Sequence, residues 1–167
     1  MYTYPFHDAC HLGNLLHRRH IHINHQTPYI CIIELGGTIG DIESLHFVEA
    51  LRQMNDNDMC FVHMSLLLDD EKTKPTQHSV QTLRSLGIFP DLMVLRTKTF
   101  ISEKTKNKIN LHCQTSNIFS NIDVKHVYEV PSILRNQGIH ICLAKKLDLI
   151  SYLHMEPNIM PKNSTTI

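Results

Sequence analysis

The sequence predicts an α/β fold, an open parallel sheet with flanking helices. Three observations carry this. Four apolar runs, near 29–33, 60–67, 91–95 and 118–122, lack the polar alternation of a half-solvated strand and suit strands covered on both faces. Each run is followed by a polar loop and then by helix-period spacing, the pattern of successive βα units. The loops hold concentrated acids and lysines, which this topology gathers beyond the carboxyl ends of the strands, where open sheets bind ligands.

Composition sets the bounds. The 167 residues suffice for one domain with a real core, at 42% hydrophobic and 19% charged content. Sixteen Lys and Arg balance sixteen Asp and Glu, so net charge gives no reason to expect nucleic acid or an anionic membrane as partner. No apolar run is long enough to span a bilayer, and His7, Asp8 and His11 break any signal-like pattern at the start. Five cysteines form no CxxC pair. Cys31, Cys60 and Cys142 lie in apolar runs, as small hydrophobes of a reducing compartment do, and the expected location is the cytoplasm.

Residues 1–28 are expected to be an irregular leader. His20 and His25 could share a metal, but no cysteine or carboxylate completes a spaced ligand set. The first strand, 29–33, runs into Glu34, then Gly36, Gly37, Thr38 and Gly40, then Asp41 and Glu43. Ser44 is the expected N-cap of a helix carrying Phe47, Leu51 and Met54 on one side. Glycines let backbone N–H groups approach an anion, and carboxylates at such a turn suit a magnesium ion bearing phosphates. A tight turn with solvated acids is the plainer alternative.

The second strand leads to Lys72-Thr73-Lys74-Pro75-Thr76-Gln77 at a helix start. Pro75 is expected in the first turn, Lys74 extended before it, and Gly87 just past the end. A helix N-terminus beside lysines favours an anion; a solvated lysine loop is the alternative. Arg96 closes the third strand. Ser102 is the expected cap of a helix whose Lys104, Lys106 and Lys108 read mostly as a solvated face. The fourth strand ends at Asp123, a short helix ends near Gly138, a last helix spans 139–149, and 150–167 is an expected flexible tail. Acids, basic groups and helix N-termini at one end of a sheet suit a nucleoside triphosphate with magnesium. Glu34, Asp41 and Lys72 are therefore expected to cluster at one sheet edge.

The strings ELGGTIGDIES with EALRQ, EKTKPTQHSV, LGIFPDLMVLR, KNKINLHC and DVKHVYEVP resemble the CTP synthase family over about residues 29–149. The resemblance implies part of a P-loop NTPase-like amidoligase domain, truncated. It also implies a ligase that makes CTP from UTP with ATP and glutamine-derived ammonia. By position it assigns magnesium to Glu34, and UTP or CTP to Asp41, Ile42, Glu43, Lys72, Thr73, Lys74, Pro75, Thr76, Gln77 and Lys108. Asp123 and Val124 are assigned to ATP. A homotetramer is implied too, and no catalytic side chain is carried over. The departures are specific. GxxxxGK[ST] does not occur, and no glutaminase domain is present to supply ammonia from glutamine. His46 and His112 replace the family's usual proline and phenylalanine. The alternative is a catalytically inactive fragment that at most binds UTP or CTP or joins an assembly.

Overall fold

The structure, a computed structural model, describes residues 30–54, 59–67 and 72–154. The expected leader, Tyr29, the 68–71 acidic turn and the tail beyond 154 lie outside the described residues. In chain order the elements are α1 (Ile42–Met54), β1 (Val62–Leu66), α2 (Lys74–Ser85), β2 (Leu92–Thr97), α3 (Glu103–Cys113), β3 (Ile118–Ile122), α4 (Val130–Asn136) and α5 (Ile139–Lys146). Short 3-10 turns precede α4, at Val127–Glu129, and follow α5, at Ile150–His154.

The three strands are parallel in the order β1-β2-β3, with Val62 opposite Leu92 and Met93 opposite Ile118. This is the open parallel α/β sheet that the apolar runs predict. β2 is central and buried on both faces, which is why Leu92-Met93-Val94-Leu95 has no polar alternation. On one face Met93, Leu95 and Ile118 pack with Val80 of α2 and with Ile109 and Cys113 of α3. On the other, Leu92, Val94 and Phe119 meet Leu134 of α4 and Ile139, Cys142 and Leu143 of α5. Val48 of α1 packs with Leu83 and Ile88, joined by Leu35 and Ile39.

Two boundary signals act as their chemistry requires. Ser102 Oγ accepts the Thr105 N–H at 3.3 Å and caps α3, and Gly87 takes φ +84° after α2, a conformation that favours glycine. Four expectations are corrected. Residues 30–33 form no strand: Ile32 is 90% exposed and Cys31 is exposed too. A strand is stabilised by the neighbour it pairs with, and this run has none among the described residues. Ser44 is not the cap of α1. It is the third helical residue, buried, with Oγ donating to the Asp41 carbonyl at 2.9 Å, so the boundary falls at Asp41. Lys74 is not extended before Pro75; it is the first residue of α2, because Thr73 already has helical φ and ψ. The last helix stops at Lys146, and Asp148 has a positive φ of 53°. No described helix is long and apolar enough to cross a membrane.

Candidate functional site

Parallel strands bring their carboxyl ends to one edge, and the candidate site lies there. Beyond β1 the chain reaches Lys72 and enters α2 through Thr73. Beyond β2 it leaves through Arg96, and beyond β3 through Asp123. Arg96 Nε and Asp123 Oδ1 are 3.2 Å apart and both side chains are largely exposed, so the pair is solvent-screened and weak. The Asp123 N–H donates to the Thr97 carbonyl at 2.9 Å, which ties the two strand ends together. α2 and α3 both present their N-termini to this edge. The helix dipoles there favour an anion, and exposed Lys72, Lys74, Lys98 and Arg96 add positive charge along the rim.

The Lys72–Gln77 stretch divides by burial. Thr76 is 0% exposed; its Oγ1 accepts from Ser65 Oγ at 3.3 Å and donates to the Leu66 carbonyl at 3.4 Å. Thr73 is buried, and its Oγ1 accepts from Gln77 Nε2 at 3.0 Å. Thr76 therefore fastens α2 to the end of β1, while the Thr73–Gln77 bond braces the first turn of α2 itself. Lys72, Lys74 and Pro75 are exposed and face solvent at the helix start. The division follows from sequence only in part: threonines spaced three apart at a helix start share a face, but which face is buried depends on where β1 lies.

The glycine turn sits elsewhere. A side chain at Gly40 would meet Thr82 Cγ2 at 3.0 Å, and Gly40 has φ +102°. Thr82 lies nine residues into α2 from Thr73, or about 14 Å along the helix. The structure therefore does not bring Asp41 beside Lys72. The turn rests on the far half of α2, and the 30–33 run that precedes it pairs with no strand among the described residues. Glu34, Asp41, Ile42 and Glu43 are all exposed. Lys108 is exposed on α3, five residues in from its start, and Val124 is half-buried beside Asp123. Glu34 offers one carboxylate, and among the described residues no group of three or more His, Cys, Asp or Glu gathers to hold a metal. One carboxylate suffices as a single ligand to magnesium that arrives on a triphosphate, not to hold the ion alone.

Sequence reasoning missed two polar devices. The Gln137 carboxamide accepts from the Ser120 N–H at 2.8 Å and donates to the Ser120 carbonyl at 2.7 Å. Asp91 accepts the Phe61 N–H at 2.8 Å and pairs with Lys146 at 2.9 Å, at the amino edge. Neither has a local motif that would announce it. Beside Asp91, burial pushes the Cys60 thiol up to about 11, and burial also raises Cys113. Both thiols are thereby kept protonated, in line with cysteine used as a small hydrophobe.

The family model described as CTP synthase N-terminus matches residues 9–149. The chain belongs to the CTP synthase family. It is 45% identical to the CTP synthase of Clostridium acetobutylicum over 131 residues, which are 72% of this chain and 24% of that protein. It is 44% identical to the CTP synthase of Methanosarcina mazei over 132 residues, 73% of this chain and 25% of that one. The CTP synthase-like chain thus spans about a quarter of the length of the curated relatives it matches.

Proposed function

We propose that the carboxyl edge of the sheet binds a pyrimidine nucleoside triphosphate, UTP or CTP, as a module of the CTP synthase type. The observation that carries this is the exposed Lys72 and Lys74 at the N-terminus of α2, on a rim with Arg96, in a chain of this family. Lys72 and Lys74 meet phosphate charge, helped by the helix N-terminus. Pro75 fixes the entry to α2, while Thr73, Thr76 and Gln77 hold its shape. Asp41, Ile42 and Glu43 are the pyrimidine-side residues that the family resemblance assigns, and they meet the nucleotide only when the glycine turn is drawn from the far half of α2 to this edge; Lys108 adds charge. Asp123 and Val124 serve ATP, and Glu34 is one ligand of magnesium delivered with the triphosphate. In the complete reaction UTP is phosphorylated by ATP at the uracil oxygen, and glutamine-derived ammonia displaces the phosphate. The assembled form is a homotetramer in the cytoplasm.

The same reading has this 167-residue polypeptide binding without turnover. Phosphoryl transfer rests on positioning and on neutralising the triphosphate, and GxxxxGK[ST], the loop that cradles it, is not among these residues. Two assays test the proposal. With UTP, ATP, magnesium and free ammonia supplied, no CTP is expected; sustained CTP formation overturns the non-catalytic part. In calorimetric titration with CTP, Lys72→Ala is expected to weaken binding about tenfold, the loss of one charge-assisted bond, and Lys104→Ala far less. Equal effects of the two substitutions remove the reason for placing the nucleotide at this loop.

A further inference from the structure

Ser120, in the middle of β3, is gripped from two directions besides the ladder to β2. β3 is the outer strand of the described sheet, and backbone groups along a parallel strand alternate sides, so the Ser120 N–H and carbonyl point away from β2. The Gln137 carboxamide meets both, accepting from the N–H at 2.8 Å and donating to the carbonyl at 2.7 Å. The amide is itself held, since Nε2 also donates to the Ile133 carbonyl of α4 at 3.1 Å. Gln137 comes directly before Gly138, whose φ of +88° turns the chain from α4 into α5. That corner is anchored in turn, because Leu134 and Ile139 pack against Leu92, Val94 and Phe119. On the α3 face, Ser120 Oγ accepts the Ile101 N–H at 3.1 Å in a buried bond.

Two bonds to one residue fix where β3 sits along its own axis relative to the corner between α4 and α5. From Ser120 to Asp123 is three residues, or about 10 Å of strand. Over that length the chain is tied to β2. Asn121 lies opposite Arg96, Ile122 lies opposite Thr97, and the Asp123 N–H donates to the Thr97 carbonyl at 2.9 Å. A shift at Ser120 is therefore carried to Asp123 and Val124. We propose that Gln137 is a positioning residue for the ATP side of the site, setting the place of Asp123 and Val124 without touching the nucleotide. This rests on the reading above that those two residues serve ATP. The pyrimidine side does not hang on the clamp, because Lys72 and Lys74 stand at the start of α2, which Thr76 fastens to β1. A binding group must be held to within about 0.5 Å by the residues behind it, so a loosened end of β3 weakens ATP and spares CTP.

The test is calorimetric titration of the full 167-residue chain with magnesium-ATP and, separately, with CTP. Gln137→Met keeps the length of the side chain and removes both bonds. Gln137→Asn is the milder change, an amide that falls one methylene short. Each variant is first shown to be folded by circular dichroism. ATP binding is expected to weaken about tenfold in Gln137→Met and in the same direction in Gln137→Asn, with CTP affinity within about twofold of the parent in both. Exchange of the Asp123 amide is expected to quicken. ATP and CTP affinities that fall together overturn the inference, because a general loss of folded chain moves both. Unchanged ATP affinity with faster exchange at Ser120 overturns it too, and confines Gln137 to holding the strand. Asp123→Ala separates this inference from the reading beneath it. ATP binding weakened by Asp123→Ala but not by Gln137→Met removes the positioning role alone. A parent chain that binds no ATP, or whose ATP binding is indifferent to Asp123→Ala, overturns both.

Discussion

Replacing Thr76 by valine separates the residues that shape the candidate site from those that would touch a ligand. Valine keeps the volume and removes the hydroxyl. Two hydrogen bonds are lost, one from Ser65 Oγ at 3.3 Å and one to the Leu66 carbonyl at 3.4 Å. Both are long, and a bond of this kind is worth about 0.5–1.5 kcal/mol net, so the sum lies near 1–2 kcal/mol. The lower end is favoured where water reaches the half-buried Ser65. A loss of that size moves a thermal midpoint by a few degrees in a domain of this length. The assay is urea unfolding with CTP titration on the same samples. The expected result is a lower unfolding midpoint with unchanged slope, and CTP affinity under native conditions within about twofold of the parent. A variant that unfolds at the parent's midpoint but no longer binds CTP would refute the reasoning, because Thr76 would then act on the ligand and not on the join between α2 and β1.

Two further outcomes follow from buried polar groups. His63 lies buried in β1 with Nε2 3.0 Å from Ser79 Oγ, and burial lowers its pKa from the usual 6.5. The unfolded chain therefore binds the proton more readily. The contribution is whole above pH 6.5 and lost as pH falls below it, toward the depressed native value, by no more than about 1.4 kcal/mol per pH unit. Unfolding free energies measured from neutral to mildly acidic pH should slope less in His63→Gln than in the parent, and parallel slopes would contradict this. Gln137→Ala uncovers the Ser120 N–H and carbonyl and should cost about 1–2 kcal/mol in denaturant midpoint, with faster exchange at Ser120. Unchanged exchange there would mean the amide does not guard the edge.

The sheet was legible where burial is set by the strand's own neighbours in sequence. The runs at 91–95 and 118–122 are flanked by helices that cover both faces, so their composition reports their place. The run at 30–33 has the same composition and is solvated, because burial belongs to a pair and this run pairs with no strand among the described residues. Gly87 and Ser102 were readable because φ above zero and a free N–H each select few residue types. Ser44 and Lys74 were misplaced by one to three residues, the usual slack where several polar residues can start a helix. In the candidate site, the Lys72–Gln77 loop was found from its position after a strand. Which of its residues face inward was not, since that depends on the direction in which β1 approaches. Gln137 carried no signal, because its partner is a backbone seventeen residues away.

The spatial order of the strands repeats their order along the chain, and this governs assembly of the sheet. Thirty residues separate paired Val62 and Leu92, and twenty-five separate paired Met93 and Ile118. Closing loops of such similar length differs by only about 0.2 kcal/mol in chain entropy, so neither crossover has a head start. Both closures need β2. Leu92–Thr97 is then the common substrate of two independent closures, and the sheet can grow from it in either direction without waiting for a strand from a distant part of the chain.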